Sequence, residues 1–118
     1  MNILPTYQAN IFIGLKEGYG GIVHAVEYVE QICQEYVNEI GWCVTVTPTK
    51  FIYSGGAEPG VNIGAINYPR FPSTKAEIDL RLIRLADELM IVLNQQRCTI
   101  VSTNEIMLLE NDSYEERS

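Results

Sequence analysis

Residues 36–47 read Tyr-Val-Asn-Glu-Ile-Gly-Trp-Cys-Val-Thr-Val-Thr, and the spacing of apolar residues changes at Gly41. Before it, Ile22, Val26, Val29, Cys33, Tyr36, Val37 and Ile40 recur every three or four positions, the stripe of an amphipathic helix over 22–40. After it, Trp42, Val44 and Val46 alternate with Cys43, Thr45 and Thr47, the period of a strand. Gly41 stands where a helix takes a left-handed C-terminal cap, a conformation open to a residue without Cβ.

Working outward, residues 9–15 place Ile11, Ile13 and Leu15 on one face of a first strand. Lys16-Glu17-Gly18-Tyr19-Gly20-Gly21 is too rich in glycine for a regular element. Downstream, Pro48 implies a bulge or an edge position, and the strand resumes at Phe51-Ile52-Tyr53. A turn over Ser54-Gly55-Gly56 and Glu58-Pro59-Gly60 leads to a third strand carrying Val61, Ile63 and Ala65. Thr74 and Glu77 have capping-box spacing, and Ile78, Leu82, Leu85, Leu89 and Leu93 form the stripe of a second helix. Cys98–Val101 is a fourth strand and Ile106–Leu109 a short return strand, with an acidic tail at 110–118 expected to fray.

The expected fold class is α+β in the order β-α-β-β-α-β, the ferredoxin-like arrangement, with two helices on one face of an antiparallel sheet. The whole chain, 1–118, reads as a single ligand-binding domain. Phe12, Phe51 and Tyr53 fall on the uncovered face, so a homo-oligomer is expected to cover it.

The 118 residues carry 8 basic and 15 acidic side chains, a net charge of −7. That balance excludes a duplex nucleic-acid partner, whose phosphates need a basic surface. No apolar run suits a membrane span, and Met1–Pro5 lacks the basic start of a secretory signal, so a cytosolic protein is expected. Cys33, Cys43 and Cys98 lie among apolar neighbours and read as buried free thiols.

Lys16, Lys50, Arg70 and Arg97 are the basic residues outside the second helix and the tail, and they read as strand-end or loop positions. Such segregation suits an anion site, although solvated loop charges read the same way. Arg70-Phe71 sets a guanidinium beside a ring able to stack a base. Gly20 and Gly21, with Tyr19, precede the first helix, whose free N–H groups favour an anion; a plain strand-to-helix turn fits equally. The one histidine, His24, falls in the first helical turn and reads as a ligand-contacting or surface residue. Neither a nucleophile motif nor a metal-ligand cluster is recognisable, which favours binding without turnover: no enzyme, no cofactor and no metal.

Three segments, Asn10–Gly21, Asn67–Pro72 and Arg97–Val101, resemble the phage Thoeris anti-defence sponge proteins over about residues 8 to 110. The resemblance implies sequestration of a cyclic ADP-ribose isomer in the cytoplasm of an infected bacterial host, with cyclic trinucleotides as further ligands. It implies Phe71 on the adenine, Arg97 on the diphosphate, and a dimer or hexamer with pockets between subunits. Lys16, Arg70, Tyr19, Gly20, Gly21 and His24 complete the candidate site on physical grounds alone. The alternatives are an enzyme cleaving the same messenger, with His24 or Glu17 as acid or base, and an acidic protein-binding inhibitor.

Overall fold

The computed structural model describes residues 1–18 and 21–116. Among the described residues seven elements follow one another: β1 (Gln8–Gly14), α1 (Val26–Ile40), β2 (Thr45–Tyr53), β3 (Gly56–Ile66), α2 (Lys75–Val92), β4 (Arg97–Ser102) and β5 (Ile106–Glu110). They build one antiparallel sheet in the order β2-β3-β1-β4-β5, so the ferredoxin-like core carries a fifth strand on the β4 edge.

Alternation divides the sheet into two faces. Ile11 pairs with Ile63 and with Ile100, and these join Ile13, Val61 and Ala65 beneath the helices. Ile78, Leu82, Leu85 and Leu89 of α2 pack on them, with Val29, Ile32 and Cys33 from α1. Each such side chain taken fully out of water contributes about 1.5–3 kcal/mol, so α2 is held by its stripe. Its start is fixed by the capping box: Thr74 accepts from the Glu77 N–H at 3.1 Å, and Glu77 accepts from the Thr74 N–H at 3.0 Å.

Three local expectations are corrected. The first helix begins at Val26 instead of Ile22. The His24 N–H donates to the Leu15 carbonyl at 2.9 Å, and the Glu17 N–H to that of Ile22 at 3.0 Å. Residues 22–24 thus spend their backbone groups on a short antiparallel contact with 15–17, and His24 lies outside the helix. Secondly, β2 runs unbroken through Pro48 instead of resuming at Phe51, while the edge position expected of that proline is the one found. Thirdly, the hairpin turn is confined to Ser54-Gly55, where Gly55 has φ 85°, and Glu58-Pro59-Gly60 belongs to β3.

The segment after β5, expected to fray, makes defined bonds. Asn111 Nδ2 donates to the carbonyls of Met90 and Gln95, both at 3.0 Å, and the Glu115 N–H donates to Asn94 Oδ1 at 3.1 Å. Among the described residues no helix is long and apolar enough to cross a membrane.

Candidate functional site

A concavity of about 680 Å³ opens on the uncovered face where β1 ends. Its floor follows from the register. Phe12 and Gly14 point away from the helices, as do Phe51 and Tyr53 of β2, Glu58 of β3 and Thr99 of β4. Glycines admit the larger side chains. A Cβ at Gly60 would meet Phe51 Cε2 at 2.1 Å and a Cβ at Gly56 would meet Tyr53 Cε2 at 2.8 Å, so each ring lies down on a glycine. At Gly14 a Cβ would stand 3.0 Å from Gln95 Oε1 and 3.1 Å from Glu58 Oε1, which places both oxygens over that glycine.

The walls bring charge. Lys16 and Arg97 enter from the ends of β1 and β4, opposite the carboxylate of Glu58. Tyr114 and Glu116 close the side nearest the C-terminus, and Leu108 of β5 adds an apolar edge. The Gln95 amide is locked by donating to the Lys16 carbonyl at 2.9 Å and to that of Leu93 at 3.2 Å. Cys98 borders the cleft, but burial and then Asp87 push its thiol up to about 12, so at neutral pH it stays protonated and is a poor nucleophile. Rings, two carboxylates and two cations in a cleft of this size suit a ligand with a flat heterocycle and charges of both signs.

Next to the lining residues Lys16, Gly18 and Gln95 in the chain stand Glu17 and Asn94, members of a buried polar cluster. Glu17 is 3% exposed; its Oε2 is 2.7 Å from His24 Nε2 and its Oε1 accepts from Asn94 Nδ2 at 3.0 Å. A carboxylate so deep is tolerable because both oxygens are bonded.

Of the candidate residues, Lys16 and Arg97 meet in this cleft, whereas His24 faces Glu17 instead. Gly21 is exposed and separated by four residues from α1, so it is not at a helix N-terminus. Tyr19 and Gly20 lie outside the described residues. Arg70 and Phe71 follow β3 beyond Ile66, which pairs with Gln8, while Arg97 lies toward Gly14. The seven residues of β1, about 20 Å, separate these two ends within one chain. Phe71 packs on Tyr68 at 5.2 Å between ring centroids. The cleft residues that charge and motif reading missed are Glu58, Gln95, Tyr114 and Glu116. Phe51 and Tyr53 were visible only as rings on the uncovered face.

No protein-family model matches the sequence, and no curated protein does. The fold, however, is that of known structures. A phage SAM lyase in complex with S-methyl-5'-thioadenosine is similar over 98% of both chains, with a TM-score of 0.77 and 18% identity. A phage SAM lyase in the apo state has the same score and identity over 92% of both chains. This match overturns the expectation that the chain is not an enzyme. The same architecture, over nearly its whole length, serves proteins named as lyases, so a missing nucleophile or metal motif excludes no reaction here.

Proposed function

We propose that the cleft at the end of β1 binds S-adenosylmethionine and that the chain is a lyase releasing S-methyl-5'-thioadenosine from it. The carrying observation is that Phe51, Glu58, Lys16 and Arg97 line one cavity, in a fold shared with a protein that holds this nucleoside. Phe51 or Phe12 offers a face on which adenine stacks. A sulfonium is a permanent cation, and the Glu58 carboxylate beside aromatic rings attracts it. Arg97 and Lys16 supply donors for the amino-acid carboxylate, with Arg97 able to take both oxygens.

The bond between sulfur and the γ-carbon breaks with its electron pair going to sulfur, which becomes a neutral thioether. The substrate's own carboxylate oxygen closes on that carbon to a five-membered lactone, so atoms and charge balance without a co-reactant. The protein's part is positional: cations that fix the carboxylate and rings that fix the adenosine set the reacting atoms in line. The aromatic floor, which excludes water from the reacting atoms, favours a transition state in which opposite charges cancel over the separated ground-state pair.

A second reading has its own support. The cation pair Lys16 and Arg97 also suits a diphosphate, and the sequence resembles proteins that hold cyclic ADP-ribose isomers. In that case Phe51, on the same cleft, takes the adenine in place of Phe71. Titration calorimetry with S-adenosylmethionine, S-methyl-5'-thioadenosine and a cyclic ADP-ribose isomer decides. The lyase reading expects heat with the first two; uptake of the cyclic compound alone selects the second reading, and no heat with any overturns both.

A further inference from the structure

One wall of the cleft comes from the C-terminal segment, which carries no motif. We propose that residues 111–116 form a strap held against the cleft by Asn94, and that Asn94 is a positioning residue for the ligand although its side chain points away from it. This inference takes its ligand from the reading above.

Asn94 follows α2 and, among the described residues, is the one non-glycine with positive φ, at 48°. The conformation is unfavourable for most L-residues and most accessible to asparagine. The side chain is 3% exposed and spends its groups on the strap. Its Nδ2 donates to the Glu115 carbonyl at 2.6 Å, and its Oδ1 accepts from the Glu115 N–H at 3.1 Å. This is the reciprocal pair that a neighbouring strand would offer. The Nδ2 also donates to Glu17 Oε1, so the buried carboxylate orients the amide.

The other end of the strap is anchored as firmly. The Asn111 N–H donates to the Gln96 carbonyl at 2.9 Å, and its side-chain amide reaches two carbonyls at the end of α2. Its Oδ1 accepts from the Ser113 N–H at 2.9 Å, turning the chain back. Between these anchors Tyr114 faces the cleft, its Oη 2.9 Å from where a Cβ on Gly18 would stand. Gly18 itself has φ 49°, so two left-handed residues, Gly18 and Asn94, fit the loop and the strap together.

The test is a double-mutant cycle on the full chain, Asn94→Gly with Tyr114→Ala. Glycine keeps the left-handed backbone open and removes only the amide. Hydrogen exchange at the Glu115 N–H reads the clamp, and calorimetry with S-methyl-5'-thioadenosine reads the cleft. Asn94→Gly is expected to speed exchange at Glu115 and to weaken affinity about tenfold or more, with KM raised and kcat little changed. In that background Tyr114→Ala is expected to cost nothing further. Unchanged exchange, or faster exchange with unchanged affinity, overturns the proposal, as do fully additive losses. If the unmodified chain takes up neither S-adenosylmethionine nor the thioadenosine, the ligand reading fails; the clamp then stands or falls on the exchange comparison.

Discussion

Gly60→Ala tests whether the cleft floor is the packed surface described. A methyl group there falls 2.1 Å from Phe51 Cε2, 2.8 Å from Cδ2 and 2.9 Å from the Ile13 carbonyl oxygen. The ring must swing off the sheet, and the β1–β3 pair must spread by some tenths of an ångström. Overpacking of this kind costs about 1–3 kcal/mol, more than the roughly 0.4–1 kcal/mol gained by stiffening the unfolded chain. In Phe51→Ala the ring clash is absent and only the carbonyl contact remains, so Gly60→Ala should cost about 1 kcal/mol less in that background. Unfolding entropy of about 2.1 cal/mol/K per residue, over 118 residues, turns 1 kcal/mol into about 4 °C of Tm. Denaturant titration and thermal melting of the four proteins give the cycle. A Gly60→Ala chain as stable as the parent, or a penalty identical with and without Phe51, would refute the reasoning.

Phe51→Ala is expected to weaken S-methyl-5'-thioadenosine binding by about 1–3 kcal/mol, the worth of a stacked base, while Phe71→Ala leaves it unchanged; calorimetry on both compares the two ends of the sheet. Thr74→Ala is expected to cost about 1 kcal/mol of stability by removing the α2 cap, measured by denaturant titration. The Glu77 carboxyl is held below its ordinary value by hydrogen bonding to the Thr74 backbone, then by its side chain. Its stabilisation is therefore full above the unfolded glutamate range and lost as pH falls through the lowered folded value. Thr74→Ala keeps the backbone N–H and removes the side-chain part, so it should flatten that acid limb only in part. Burial, then Glu88 and Glu30, pushes the Cys33 thiol up to about 12, and Cys98 is raised likewise. Both are expected to resist alkylation at pH 8 until the chain is unfolded, as peptide mass mapping would show.

The order of elements along the chain was readable because it rests on local signals: the period change at Gly41, the Thr74–Glu77 capping box and the apolar stripes. The start of α1 was not. Ile22 and Val26 fit the helical period, but the backbone bonds of residues 22–24 are claimed by Leu15 and Glu17, a contact between loops that periodicity does not register.

The site was half legible for a related reason. Lys16 and Arg97 could be singled out because few basic residues lie outside α2 and the tail. Glu58 was hidden in a segment read as a turn, although the β2–β3 register sets it directly across from Phe51. The resemblance made Arg97 and Phe71 partners, yet within one chain α2, about 27 Å long, and the length of β1 lie between them. Tyr114 belonged to a polar tail by composition, and the non-local bonds of Glu115 to Asn94 and of Asn111 to Met90 and Gln95, which set it beside the cleft, leave no pattern in the sequence.

Incubating the chain with S-adenosylmethionine and following the mixture by liquid chromatography and mass spectrometry tests the central claim most directly. The account predicts accumulation of S-methyl-5'-thioadenosine and its loss in Arg97→Ala. S-adenosylmethionine recovered intact, with no thioadenosine formed, would contradict it.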